Sequence, residues 1–369
     1  MSQPLDLFIS AGELSGDYLG GALAKELKKA APALKIAAVC GAHLRSCGIE
    51  EAFPMEKLQT MGILQILFSL PRLLKAFFFL RKTILERNPR LVVTIDYPGL
   101  HLRLLRSLRK KGFKGKLVHY VCPSIWVHGK KRKKLLEKYA DLLLTLFPFE
   151  PELFSSSSLQ VSYVGHPLTE KIQPLAFQSQ RDYILSFPGS RLQEIATNLT
   201  SHIEAFFLLQ AKRKELKLAI SVAQKQLEET IRKICKSYNI EPTLVDSSHL
   251  PLFLPKTAVA LAKSGTITLE LALYNLPTVV TYKVSPIDYA ILHYIWKVDL
   301  PFYCLPNILC KEQIFPECIG KNISSEQIAK EALFFLENPP LDISSKVKAV
   351  LGEHQSSREA AQLIIQRME

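Results

Sequence analysis

Short apolar runs alternate with helical patterns along this chain, and they do so in two series. The first has strand-like runs at 7–9, 34–40, 91–96, 117–121 and 142–146, with helical patterns between them. That alternation specifies parallel strands with helices on both faces. A tract at 154–158, followed by Pro167 and Pro174, reads as a boundary. The second series runs through 184–187, 218–222, 244–246, 259–262 and 278–282, with helices expected at 194–209, 225–238, 266–273 and 286–296. For 369 residues about two domains are expected. The sequence therefore predicts an α/β protein of two Rossmann-like domains facing a cleft, residues 1–170 and 171–343. A last amphipathic pattern at 344–367 reads as one helix, so that 344–369 packs back on the first domain.

Composition narrows the partners. The net charge is +13 and the pI about 9.3, which suits an anionic ligand or surface. Seven scattered cysteines with no CxxC pair read as reduced thiols, not as disulfides or a zinc site. The first lysine is Lys25, so no basic leader precedes an apolar run and no secretory signal is expected.

Residues 61–86 are crowded with Ile, Leu and Phe but interrupted by Gln65, Pro71, Arg72 and Lys75. That falls short of the roughly 20 apolar residues a spanning helix needs. Phe77, Phe78 and Phe79 adjoin Leu80, so apolar side chains cover most of the helix circumference; Phe68 precedes them, and Arg72, Lys75, Arg81 and Lys82 lie among them. The segment reads either as a buried core helix or as a helix lying in a bilayer interface. Two basic runs follow, 103–116 and the KKRKK of 130–134. They carry almost no aromatic residues for base stacking, which argues against nucleic acid. Anionic headgroups, each adding about 1 kcal/mol per nearby Lys or Arg, fit better.

Four stretches bear chemistry. The turn after the first strand holds Gly12, Gly16 and Gly20 at four-residue spacing, neither a dinucleotide fingerprint nor a phosphate loop. Its acids, Glu13 and Asp17, would repel phosphate, so it is expected to face a sugar or hydroxyl group. Ser15 and Asp17 also suit a helix cap and a helix dipole. Asp96 ends the strand LVVTID, where open parallel sheets place ligands. Either Asp96 or Glu13 suits a general base. Gly189, Ser190 and Arg191 follow a third strand and precede a helix, an arrangement suited to a diphosphate. Ser264, Gly265 and Thr266 follow a fourth, with Thr266 as the expected cap and Glu270 one turn in, placed to accept from ribose hydroxyls. His166 and His119 read as structural, whereas His101 and His128 could line the cleft.

The motifs AGELSGDYLGG, MEKLQTMGI, ID-x-P, HYVCPSIW, LFPFE, VGHP, PGSR, SGTITLE and LPN occur in order over nearly the whole chain. In these the chain resembles the lipid-A-disaccharide synthase family, inverting glycosyltransferases of the two-domain B-type fold. The resemblance implies transfer of a sugar from UDP-2,3-diacylglucosamine to 2,3-diacylglucosamine 1-phosphate, giving a β(1→6) disaccharide 1-phosphate and UDP, with no metal or other cofactor. It implies cytoplasmic placement at the inner membrane of a Gram-negative bacterium, leaves room for a homodimer, and sets Asn307 near the donor. Asp96 is the first choice of base, with Glu13 as alternative; Gly12, Ser15, Gly16 and Asp17 form the acceptor loop. Two stretches depart from the family. ID-x-P-D-F-N reads here Ile95-Asp96-Tyr97-Pro98-Gly99-Leu100-His101, and Val127-His128-Gly129 replaces Ala-Trp-Arg. A related UDP-sugar transferase or epimerase is the rival, favoured by activity on soluble UDP-N-acetylglucosamine.

Overall fold

The computed structural model describes residues 5–58, 63–126, 129–175, 181–283, 300–321, 323–339 and 342–368, and of 63–70 only the backbone. It divides into two compact units, Met1–Glu170 with Glu353–Glu369, and Lys171–Gly352.

The first unit runs β1 (Leu7–Ala11), α1 (Leu14–Ala30), β2 (Ile36–Cys40), α2 (Ala42–Ser46), β3 (Glu50–Pro54), α3 (Ile63–Arg87), β4 (Leu91–Ile95), α4 (Pro98–Lys110), β5 (Lys116–Tyr120), α5 (Lys130–Tyr139), β6 (Leu142–Thr145), β7 (Gln160–Tyr163) and α6 (Pro167–Lys171). Its described strands form one parallel sheet, ordered β3-β2-β1-β4-β5-β6-β7. The order reverses between β1 and β4. The central strands β1, β2 and β4 are buried at every position, which is why they read as apolar runs with only Ser10 and Thr94 among them.

The second unit runs β8 (Tyr183–Phe187), α7 (Leu192–Lys212), β9 (Lys217–Ser221), α8 (Glu228–Ser237), β10 (Thr243–Val245), α9 (Leu250–Phe253), β11 (Thr257–Lys263), α10 (Thr266–Leu273), β12 (Thr278–Lys283), α11 (Leu305–Cys310), β13 (Glu317–Gly320), α12 (Ser325–Glu337) and α13 (Ile343–Leu351). Its parallel sheet is ordered β10-β9-β8-β11-β12-β13. Here the reversal falls between β8 and β11. The helix expected at 286–296 lies outside the described residues.

Two expectations about elements change. The pattern at 344–367 is two helices, α13 and then α14 (Ser356–Gln366), separated at Gly352, whose φ of +68° is left-handed and glycine-favouring. The two belong to different units. The Asn275 Oδ1 accepts from the Ile343 and Ser344 backbone N–H groups at 2.8 and 3.2 Å, holding α13 in the second unit. The α14 helix puts Ala360, Ala361 and Ile364 into the first core. Ser356 donates through Oγ to the Gly165 carbonyl at 3.0 Å and through its N–H to Glu170 at 2.9 Å. Only 353–369 therefore returns to the first unit.

The apolar helix α3 is two-sided. Ala76, Leu80 and Ile84 are buried and Phe77 packs partly against the core. Leu74, Phe78 and Phe79 are 47%, 51% and 46% exposed. Phe79 leans on Phe53 at 5.3 Å between ring centroids, and the Arg81 guanidinium lies 4.9 Å from the Phe78 ring centroid. The Phe68 side chain lies outside the described residues. No described helix is long and apolar enough to cross a membrane.

Candidate active site

In each unit the candidate residues gather where the strand order reverses, the place at which open parallel sheets leave a crevice beyond their carboxyl ends. In the first unit β1 and β4 are neighbours, with Ala11 opposite Ile95. Gly12 and Glu13 leave one strand, Asp96 and Tyr97 the other.

Asp96 and Tyr97 both have left-handed backbones, φ +49° and +48°. Two such non-glycine residues in a row cost energy and persist only where the surroundings enforce them. The enforcement is visible. The Asp96 N–H reaches the Tyr120 carbonyl of β5 at 2.8 Å. His101 Nδ1 lies 2.7 Å from the Asp96 carbonyl, which can only accept, so Nδ1 carries the proton. Nε2 then accepts from the Ser10 hydroxyl at 2.9 Å. Burial lowers the His101 pKa to about 4 and keeps the ring neutral. His101 thus fixes the loop from below, fully buried, and does not line an open site as its position suggested.

The Asp96 carboxyl is half-buried. Desolvation raises its pKa, opposed by the Tyr97 N–H and by Arg132 of the basic run on α5. A carboxyl so poised is a better proton acceptor than an ordinary one. Glu13 is exposed at the N-cap of α1, and its side chain makes no capping bond. Ser15 is exposed one position into the helix and does not cap it. Asp17 is fully buried: its carboxylate accepts from the backbone N–H groups of Gly41, His43 and Leu44 at 2.9, 2.8 and 3.2 Å. It caps α2, not its own helix, and is closed to a ligand. Gly12 lies under the Tyr97 ring, where a Cβ would stand 2.2 Å from a ring carbon. Gly16 lies against the Ile95 carbonyl.

A third strand-end group lies in the LFPFE motif after β6. Glu150 is 1% exposed and accepts from the Leu146 and Phe147 N–H groups at 3.1 and 3.0 Å. Burial pushes its pKa up to about 8. Around it Phe147 stacks on Phe149 and His166, with centroids 5.8 and 5.3 Å apart, and Trp126 meets both phenylalanines edge-on. His166 is buried, as expected of a structural residue. His119 is buried too and bonds Thr94 through Nδ1 at 2.8 Å, but its Nε2 has no hydrogen-bond partner among the described residues. Val127 and His128 lie outside the described residues.

In the second unit β8 and β11 are neighbours, with Phe187 opposite Ala262. The turn Gly189-Ser190-Arg191 therefore emerges beside Ser264-Gly265. Gly189 has φ +123°, and a Cβ there would meet Glu194 at 2.6 Å. Glu194, on the first turn of α7, draws the turn together. It accepts from the Ser190 N–H at 3.0 Å and from Arg191 Nη1 at 3.1 Å, and Lys263 Nζ lies 3.4 Å away. Burial raises the Glu194 pKa; Lys263, the Ser190 N–H and Arg191 outweigh it and leave the pKa lowered. The Arg191 side chain is 78% exposed. On α10, Gly265 is the N-cap and Thr266 the first helical residue, without a side-chain capping bond; Thr268 instead donates to the Gly265 carbonyl at 2.7 Å. Ser264 donates to the Tyr303 carbonyl at 3.2 Å. Glu270 is half-buried, its pKa raised by desolvation against the pull of Lys171.

Asn307 stands apart from these loops in its bonding. It is fully buried; its Nδ2 donates to the Phe315 carbonyl and to Glu317, and its Oδ1 accepts from the Ile314 and Phe315 N–H groups, all at 2.8–2.9 Å. With every donor and acceptor used, it shapes the loop ahead of β13 and has no free group for a nucleotide. Lys263 and Glu194 were not anticipated, because only the adjacency of β8 and β11 joins them. The described residues contain no group of three His, Cys, Asp or Glu that could hold a metal.

Two parallel-sheet domains, each with polar groups at its switch point, define a protein of the B-type glycosyltransferase fold. Its solved likenesses share that architecture. The epimerase of UDP-GlcNAc from Methanocaldococcus jannaschii, in complex with UDP-GlcNAc and UDP, is 11% identical with a TM-score of 0.61, covering 99% of this chain and 100% of that one. The glycotransferase of kitacinnamycin is 14% identical with a TM-score of 0.59, covering 100% of both. The chain belongs to the lipid-A-disaccharide synthetase family, whose model matches residues 7–367. Lipid-A-disaccharide synthase of Chlamydia trachomatis serovar D is 40% identical over 335 residues, 87% of this chain. That of Alcanivorax borkumensis is 33% identical over 362 residues, 95% of this chain and 93% of its own length. The chain spans only 55% of the length of the C. trachomatis relative and 60% of that from Chlamydia muridarum.

Proposed function

We propose that the chain is an inverting UDP-sugar-dependent hexosyltransferase, a lipid-A-disaccharide synthase. It transfers 2,3-diacylglucosamine from UDP-2,3-diacylglucosamine to 2,3-diacylglucosamine 1-phosphate. Asp96 takes the proton of the acceptor 6-hydroxyl as that oxygen attacks the donor's anomeric carbon. The bond from that carbon to the diphosphate breaks, UDP leaves, and the new linkage is β(1→6). The observation that carries this reading is the Asp96 carboxyl: half-buried, raised in pKa by desolvation and fixed at the β1/β4 switch point. Arg191 and the start of α10 neutralise the departing diphosphate, the kind of charge stabilisation that is usually the largest catalytic contribution. Glu270 takes the ribose hydroxyls. Glu13, exposed at the same switch point as Asp96, orients the acceptor.

Both substrates carry acyl chains anchored in a bilayer. The exposed Leu74, Phe78 and Phe79 of α3 support peripheral association with the cytoplasmic membrane face. The test of the reaction is UDP release with both acylated substrates, comparing wild type with Asp96→Asn and Arg191→Ala. Each substitution should cost about 10²-fold or more in turnover. Full turnover in both variants overturns the site.

A further inference from the structure

We propose that Lys263 is a second diphosphate-binding cation, facing Arg191 across the β8/β11 switch point and held in register with it by Glu194. The inference rests on the reading that the second unit binds UDP. It adds a residue that the motifs SGTITLE and PGSR do not contain.

Lys263 is the last residue of β11 and so ends at the crevice. Its side chain is 19% exposed, far less than the 78% of Arg191. Its ammonium lies 4.8 Å from the Tyr282 ring centroid, and that face limits where it can swing. Across the crevice Nζ stands 3.4 Å from Glu194 Oε1, the same oxygen that receives Arg191 Nη1 at 3.1 Å. Two cations thus share one carboxylate, which leaves the cluster with a formal surplus of one positive charge.

The Lys263 ammonium has little solvent access and shares its carboxylate with a second cation, so it is poorly compensated unless an anion joins it. A diphosphate supplies that anion. Its two phosphoryl groups offer separate oxygens to a forked guanidinium and to a point-charge ammonium. The N-terminus of α10, with Gly265 at its N-cap, opens at the same strand end, where a helix favours an anion. Glu194 packs against Gly189 and ties down the Ser190 N–H, so it stays in place and spaces the two cations. Arg191 is an exposed i,i+3 pair member, weakly held and free to turn to the ligand.

The test is calorimetric titration of the full chain with UDP and, separately, with uridine. Wild type is compared with Lys263→Met and Lys263→Arg. We expect Lys263→Met to weaken UDP binding about ten- to a hundredfold and to leave uridine binding unchanged. Lys263→Arg should recover most of the loss, and the dependence of UDP affinity on salt should be shallower in Lys263→Met than in wild type. Unchanged UDP affinity in Lys263→Met, or equal losses for UDP and uridine, overturns the proposal. Should Lys263→Met fail to fold, Lys263→Gln is measured in its place, and UDP affinity equal to wild type in that variant overturns the proposal. Wild type that binds no UDP would sink the parent reading and this inference together, whereas wild-type binding with an indifferent Lys263→Met sinks only the inference.

Discussion

Asp96 is held in a strained backbone and a desolvated environment at once, and both properties bear on how it would act. Its raised pKa makes the base form available only above the ordinary carboxylate value of 3.8. The acid limb of kcat/KM should therefore lie above that value, activity falling as pH drops through the raised pKa. A pH profile of UDP release, with the limb absent from the residual activity of Asp96→Asn, checks it. Glu150 gives the opposite kind of pH effect, on stability. Its folded pKa, about 8, exceeds the ordinary glutamate value of 4.5 because the carboxyl is buried. The neutral acid favours the fold fully below 4.5, and that contribution is lost as pH rises toward 8. Glu150→Gln, which keeps an oxygen for the Leu146 and Phe147 N–H groups, should flatten the loss of stability between pH 5 and 8.5, as read by urea midpoints; an unchanged slope would refute the assignment. At this scale the sequence is legible where a candidate residue sits on a strand end. Asp96 and the Gly189–Arg191 turn follow apolar runs directly. Asp17 and Lys263 are hard to read because their hydrogen-bond and ion-pair partners lie 24 to 69 positions away in sequence, on elements that only the fold brings near, whereas Asn307 closes a local loop whose partners lie 7 to 10 positions on.

The turn after β1 and the turn after β4 behave as one element, because the Tyr97 ring lies on Gly12. A methyl group at position 12 would stand 2.2 Å from a ring carbon, so something must move. Gly12→Ala should destabilise the first unit by about 1–3 kcal/mol and lower turnover with it, since the displaced ring belongs to the residue following Asp96. Melting and steady-state rates on the same sample check both. Ile364 makes a comparable case for α14: fully buried in the first core, its truncation to Ala should cost about 2–5 kcal/mol. Elements were legible in proportion to burial. The central strands, buried at every position and mostly apolar, stand out. The strands β3, β7 and β13 carry Glu50, Glu51, Gln160 and Glu317 and are half-exposed, so their composition hid them. The break at Gly352 was hidden because the amphipathic pattern runs on through it.

The charge of the whole molecule, +13, is spread over exposed positions such as Arg103, Arg106, Lys110, Lys111, Lys114, Lys131 and Lys134, all in the unit that also exposes Leu74, Phe78 and Phe79. The two contributions on which peripheral membrane binding would rest differ in their response to salt. Headgroup attraction, about 1 kcal/mol per cation near the surface, is screened within a Debye length of about 10 Å at 0.1 M salt. Insertion of apolar rings is not screened. Not every basic residue counts equally: Arg109 is committed to Asp141, Lys133 pairs with Glu137 at 3.6 Å, and Arg132 faces Asp96. Sedimentation with anionic vesicles should therefore show binding that weakens between 0.05 and 0.5 M salt, conditions of roughly 14 and 4 Å screening, yet remains measurable. The double substitution Phe78→Ser with Phe79→Ser should remove the salt-resistant part and leave the salt-sensitive part. Neutral vesicles should retain only the former. Binding of the double variant that matches wild type at 0.5 M salt would show that the α3 face takes no part.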